Sequence, residues 1–205
     1  MYIAVAGNIG AGKTTLSYLL SRYFGFEALY TDNDQNPYLL DFYSDMPRWS
    51  FNLQMAFLHA RLEQMINIRR EKKNVIMDRT LYEDAQIFAP NLHAMGLMST
   101  RDYDTYKKLF EAVAELVEPP DLLIYLKCDI PTLVEQIQNR GRNYEDSIRL
   151  DYLKRLNHRY EEWFTDYSFG KKIEVPVKEL NFRDNAEHLG IIINKVKAEL
   201  FGLFS

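Results

Sequence analysis

The chain has 205 residues, enough for one domain with a sizeable core, and its 47% hydrophobic and 26% charged residues are the balance of an ordinary soluble fold. A formal net charge of −4 argues against a grip on polymeric nucleic acid, which calls for a basic face. The single cysteine, Cys128, allows no internal disulfide, no Cys/His set has metal-ligand spacing, and no apolar stretch is long enough to span a membrane.

The N-terminal run YIAVA (2–6) is too short for a signal peptide and leads straight into glycines, so it reads as a strand and the cytoplasm as the expected compartment. KTTLSYLLSRYF (13–24) carries apolar residues at helical spacing and stops at Gly25. FEALYT (26–31) is the next strand. A long helix runs from about Pro47 to Glu71, and NVIMD (74–78) is a strand after it. A helix over about 101–117 is closed by Pro119-Pro120. DLLIYLK (121–127) follows as an apolar strand, with Cys128 at its buried end. Helices over about 131–139, 147–167 and 184–201 complete the chain, with KKIEVPV (171–177) as a last strand. Pro176 marks that strand as an edge or an end. Five strands alternating with helices predict one α/β domain over 1–205, a parallel sheet wrapped by helices. The helices at 47–71 and 101–117 exceed what such a sheet can cover. Their spare apolar face meets either another subunit or the rest of the same chain.

Residues 7–15, GNIGAGKTT, join the first strand to the first helix. Gly7, Gly12, Lys13 and Thr14 fit G-x-x-x-x-G-K-[ST] in the required strand–loop–helix context. Backbone N–H groups of Gly7, Asn8, Ile9, Gly10, Ala11, Gly12, Lys13, Thr14 and Thr15, with the helix N-terminus, would cradle the phosphates of a nucleoside triphosphate. Lys13 would reach the outer phosphates and the Thr14 hydroxyl would bind Mg²⁺.

The destination of the phosphoryl group is a separate question. No guanine-reading NKxD-like element follows the strand at 121–127, which argues against a GTPase switch. A motor ATPase is normally longer. Transfer to a small acceptor suits this chain best. NRGRNYED (139–146) places Arg140 and Arg142 around Gly141 at a helix end, where they would close over the transferred group as a lid, neutralise it and exclude water. MDRT (77–80) puts Asp78 at the carboxyl end of a parallel strand, suited to Mg²⁺, with Arg79 next to it, suited to the transferred group or the acceptor oxygen.

Together these elements make the chain resemble the deoxynucleoside kinase family, the group of deoxycytidine, deoxyguanosine and deoxyadenosine kinases. The likeness runs along nearly the whole chain through GNIGAGKTT, NPYLLDFY, RWSFNLQMAFLHAR, DRTLYED and RGRNYED, in the family's order. The resemblance implies a five-stranded P-loop fold and a dimer formed through a helix pair. Further implied are ATP as donor, Mg²⁺, and a deoxynucleoside acceptor phosphorylated on its 5′-hydroxyl. By motif it implies that Tyr43 and Glu145 hold the sugar 3′-hydroxyl and that Gln54 reads the base edge. Arg61 and Asp84 would be further polar groups at the base, and Phe88 an aromatic wall. Gln54 and Arg61 are seven residues apart and share a helix face, and an amide both donates and accepts.

One position departs from the family's pattern. The glutamate that takes the 5′-hydroxyl proton falls on Thr31 in LYTDNDQNPY, and threonine is no carboxylate base. Asp32, next in the chain, is the candidate base; an altered position 31 that slows turnover is the alternative. Arg61 donates and Asp84 accepts, which suits a purine edge or cytosine. The expected substrate is deoxyadenosine, with deoxyguanosine and deoxycytidine as alternatives. Two rival readings remain. A nucleoside monophosphate kinase would need further arginines at the acceptor, with Arg48 and Arg69 the candidates. The other rival is a nucleotide-binding subunit without turnover.

Overall fold

The computed structural model describes residues 1–31, 36–142, 145 and 148–202. Five strands form one parallel sheet in the order β2-β3-β1-β4-β5: β1 Tyr2–Gly7, β2 Glu27–Leu29, β3 Val75–Asp78, β4 Leu122–Lys127 and β5 Lys171–Pro176. β1 is central and buried at every residue, which explains why YIAVA lacks alternation: both of its faces are covered. On one face Tyr2, Ala4, Met77, Leu123 and Tyr125 pack against Leu53, Leu58, Tyr106 and Tyr160. On the other, Ile3, Val5, Ile76, Ile124 and Leu126 pack against Leu16, Leu20, Leu133 and Ile192. Alternate residues of each strand thus serve two separate cores.

The helices are α1 Lys13–Phe24, α2 Leu39–Ser44, α3 Met46–Glu71, α4 Leu81–Glu83, α5 Ala89–Ala94, α6 Thr100–Ala114, α7 Ile130–Arg140, α8 Leu150–Asp166 and α9 Ala186–Phe201, and α1, α3, α6, α7, α8 and α9 are the expected ones. α1 and α7 end where Gly25 and Gly141 take the left-handed conformation that glycine adopts without strain. α3 starts on Asp45, whose carboxylate accepts the Arg48 N–H, with Pro47 in its first turn. No helix among the described residues is long and apolar enough to cross a membrane.

Three local features differ from the sequence reading. β2 stops at Leu29, so Thr31 lies beyond the strand end. The short helix α2 forms within YLLDFYS, where no element was expected. Between β3 and α6 the chain forms α4, a π-helical turn over Asp84–Phe88, and α5. This stretch is too short and too mixed in polarity to show a helical period.

Candidate active site

A cavity of about 520 Å³ opens at the carboxyl ends of β1, β2 and β3, where open parallel sheets take their ligands. Ile9, Gly10, Lys13 and Thr14 form one wall. Ala11 is fully buried, Gly12 caps α1 and Thr15 lies in its first turn. A Cβ at Gly10 would sit 2.9 Å from the Leu133 carbonyl and from Ile137, so α7 packs too closely on the loop for any other residue. Lys13 Nζ donates to the Gly7 and Asn8 carbonyls, both at 2.8 Å. Burial, reinforced by the Arg79 charge, lowers its pKa to about 7. The Thr14 hydroxyl donates to Asp78 Oδ2 at 2.5 Å. A hydroxyl and a carboxylate side by side at the mouth of a phosphate cradle are hard oxygen donors that suit Mg²⁺, which takes few protein ligands and relies on phosphate and water for the rest. Asn8 is locked: its Oδ1 accepts the Ile9 N–H at 2.8 Å, and its Nδ2 donates to the Leu153 carbonyl and to Asn157 Oδ1, both at 3.1 Å.

Arg79 follows β3 with φ 76°, a left-handed conformation that a non-glycine residue rarely adopts and that clusters at functional sites. Its N–H donates to the Val5 carbonyl at 2.9 Å and its guanidinium lies 4.3 Å over the Phe88 ring. At the next residue a capping box starts α4. Glu83 N–H donates to Thr80 Oγ1 at 3.2 Å and Thr80 N–H to Glu83 Oε2 at 2.6 Å. Glu83 is fully buried, and its Oε1 also accepts from Gly7 N–H at 3.3 Å and Tyr160 Oη at 2.8 Å. Burial pushes its pKa up while Arg79 and Lys13 pull it back. Sequence reading missed Glu83 as a site neighbour, although TLYE (80–83) is a capping-box signature.

Arg140, Arg142 and Glu145 line the same cavity. Arg140 grips the Glu145 carboxylate through Nε at 3.0 Å and through Nη2, and Arg142 Nη1 lies 3.9 Å from it. The three residues expected to face the phosphoryl group and the sugar are therefore brought together. Tyr43, Gln54 and Phe88 line the cavity too, with Phe57, Gln64 and Tyr152.

Arg61 and Asp84 take a different place. They are only 2% and 1% exposed and stand one layer behind the wall, Nε to Oδ2 at 3.5 Å. Arg61 Nη1 donates to Gln64 Oε1 at 3.4 Å, and Nη2 donates to Thr31 Oγ1. The Thr31 hydroxyl donates in turn to the Asp78 carbonyl at 3.0 Å, and Gln64 Nε2 to the Tyr30 carbonyl at 2.9 Å. Burial pushes Asp84 above the usual carboxylate range, with Arg61 opposing it. Gln64 was not expected here; its signal is a position three after Arg61, on the same helix face. The candidate base Asp32 lies outside the described residues. Arg48 and Arg69 do not line the cavity: Arg48 stacks 4.5 Å over Trp49, and Arg69 donates to the exposed Leu116 carbonyl at 3.4 Å.

Comparison with known proteins agrees with this geometry. The family model described as "Deoxynucleoside kinase" matches residues 3–201. The chain is 35% identical over 197 residues to the deoxyadenosine/deoxycytidine kinase of Bacillus subtilis (strain 168), covering 95% of this chain and 90% of that one. It is 36% identical over 183 residues to the deoxyadenosine kinase of Dictyostelium discoideum, covering 89% of this chain and 73% of that one. The solved structure of deoxyadenosine kinase from M. mycoides with bound dATP superposes with a TM-score of 0.84 at 31% identity, over 96% of this chain and all of the other. A glycine loop closing on a buried lysine, a Thr–Asp oxygen pair and two arginines beside one glutamate come together on a five-stranded parallel sheet. The chain belongs to the deoxynucleoside kinase family and is an ATP-dependent phosphotransferase.

Proposed function

We propose that this kinase moves the γ-phosphate of ATP to the 5′-hydroxyl of an amino-bearing deoxynucleoside, with deoxyadenosine preferred over deoxyguanosine and deoxycytidine. The observation that carries the reading is at the base end. Among the described residues, the buried Gln54 Oε1 on the cavity wall has no hydrogen bond, while Arg61 Nε and Asp84 Oδ2 behind it face each other as an ion pair at 3.5 Å. A buried acceptor is costly to leave unmet, and the N–H of an exocyclic amino group meets it. Thymine offers no amino group. The names of relatives that act on deoxyadenosine support the same choice.

In this reading Lys13 and the loop Gly7–Thr15 bind ATP, and Thr14 with Asp78 hold Mg²⁺, which would neutralise the phosphates. Arg79, Arg140 and Arg142 neutralise the charge that develops on the transferred group. Tyr43 and Glu145 hold the 3′-hydroxyl, Gln54 reads the base, and Phe88 walls it. Arg61 and Asp84 act on the base from the second layer. Asp32 takes the 5′-hydroxyl proton, because Thr31 has no carboxylate and its hydroxyl is already committed to the Asp78 carbonyl. The segment 139–146 is a lid on a single domain. Exposed Ile66 on α3 and Leu109 on α6 support a homodimer through that helix pair. Cytoplasmic nucleoside salvage is the setting this chemistry fits. The rival monophosphate kinase is disfavoured by the positions of Arg48 and Arg69 away from the acceptor.

The test is incubation with Mg-ATP and each common deoxynucleoside, with the monophosphates as rival acceptors, and identification of the products. Deoxyadenosine monophosphate should form fastest. ADP formed only with a monophosphate acceptor would overturn the reading, and so would nucleoside binding without product.

A further inference from the structure

Glu83 is not among the groups given a role above, yet its carboxylate accepts three hydrogen bonds beside the phosphate cradle. It is fully buried and its carboxylate accepts from three separate parts of the fold: Gly7 N–H at 3.3 Å, Thr80 N–H at 2.6 Å and Tyr160 Oη at 2.8 Å. Each donor sits where position matters. Gly7 opens the phosphate loop, and the same residue's carbonyl receives Lys13 Nζ at 2.8 Å. The Thr80 N–H belongs to the peptide that directly follows Arg79, so its bond pins the left-handed turn at φ 76° that aims the arginine. Tyr160 belongs to α8, the helix entered directly after the arginine segment. A second tie runs parallel to the first: Asn8, next in the loop, donates to Leu153 and Asn157 two turns and one turn earlier on α8.

We propose that Glu83 is a positioning residue for phosphoryl transfer, holding the ATP loop in register with the Arg79 turn and with helix α8. The proposal rests on the family's kinase activity and not on the choice of base. A buried charge is tolerated only where it is fully hydrogen-bonded, and here every partner is a donor. That feature separates positioning from simple helix capping. A capping box accepts Glu or Gln equally, because only one side-chain oxygen is needed. At Glu83 both oxygens face N–H groups, so an amide must turn its NH₂ against one of them. With the oxygen kept on Thr80, Glu83→Gln preserves α4 and releases Gly7.

The experiment compares Glu83→Gln with the parent in kcat, KM for Mg-ATP, deoxynucleoside Kd measured without ATP, and thermal midpoint. Loss of register by a fraction of an ångström should lower kcat/KM for ATP by about 10- to 100-fold, since misplacement of about 1 Å costs about 100-fold. The deoxynucleoside Kd should stay within about twofold, because Gly7, Thr80 and Tyr160, the groups bonded to Glu83, are not among those given to the nucleoside. A folded Glu83→Gln with parental kinetics would overturn the proposal, and so would a loss shared equally by nucleoside binding. If Glu83→Gln does not fold, Tyr160→Phe decides, as it removes one donor and keeps the carboxylate. It should raise KM for ATP by about threefold with nucleoside Kd unmoved, a fraction of the energy of one buried hydrogen bond. Parental KM for ATP in Tyr160→Phe would then overturn the assignment.

Discussion

Lys13 and Gln54 are both buried polar side chains on the wall of one cavity, yet they are treated differently. Lys13 makes two hydrogen bonds of 2.8 Å to its own loop, and the loop is tied to α4 and α8. Gln54 Oε1 makes none among the described residues, while Arg61 Nε and Asp84 Oδ2 behind it pair with each other at 3.5 Å. The phosphate end is built to hold its shape before ATP arrives, so little reorganisation remains at the moment of transfer. In the proposed reading the base end keeps an unmet amide oxygen at Gln54, so a matching base gains more than a poor one. Rigidity serves chemistry at one end, and incompleteness serves choice at the other.

The comparison breaks most sharply at Lys13. Lys13→Met removes a charge from the phosphate end and leaves the base end alone. It should lower kcat by about 100- to 1,000-fold, the loss typical of one group that stabilises transition-state charge. Deoxynucleoside Kd should not move, and titration without ATP checks this.

Gln54→Leu tests the other end. Loss of one hydrogen bond to a buried base edge should weaken deoxynucleoside binding by about 10- to 100-fold, the range of about 1.5–3 kcal/mol. The same change removes an unmet buried amide oxygen from the free protein. Its thermal midpoint in the absence of ligand should therefore equal or exceed the parent's, a trade of function against stability. A lowered midpoint would show that the Gln54 amide is already satisfied in the free protein.

How far the sequence showed this contrast depends on what kind of signal each end sends. The phosphate end is local. Its loop, strand and helix are contiguous, so GNIGAGKTT announced position and chemistry at once. Parallel strands such as β1 and β4 are covered on both faces and read as apolar runs, so the sheet was legible too. The base end is assembled across the chain. That Arg61 would stand behind the wall, holding Thr31 and Gln64, depends on how α3 crosses the end of β2, and no short window reports it. Asp84 begins a π-helical turn, a local rewinding with no periodic pattern of its own. Glu83 had a visible capping signature, but the remote donors that give it three partners lie 76 and 77 residues away.

Thr31 is where the two ends touch. Its hydroxyl accepts from Arg61 and donates to the Asp78 carbonyl, one residue before the strained Arg79. Thr31→Val leaves both partners short and should cost about 1–2 kcal/mol, read as a drop of about 5- to 30-fold in kcat/KM for the deoxynucleoside. Thr31→Ser keeps the hydroxyl and should restore most of it. If serine and valine behave alike, the hydroxyl links nothing, and the two ends are independent.

The smallest effect is a fraction of a proton, and it follows from the rigidity of the phosphate end. Burial holds Lys13 at a pKa of about 7, well below the ordinary lysine value of 10.5. Near neutral pH the free protein thus carries it part-charged, while phosphates beside it favour the charged form. ATP binding should take up about half a proton at pH 7, approaching one near pH 8.5 and vanishing near pH 5.5. Calorimetry in buffers of different ionisation enthalpy measures this, with Lys13→Met as the control for protons taken by the nucleotide. Affinity for ATP should accordingly weaken as pH rises above 7. The sign for the free protein is opposite. The unfolded chain binds more protons than the folded one between pH 7 and 10.5, so this lysine's contribution to stability grows as pH rises through that window and is lost as pH falls through about 7. A rise in pH that loosens ATP while firming the empty fold distinguishes a lysine preorganised by burial from one that is solvated until its phosphates arrive.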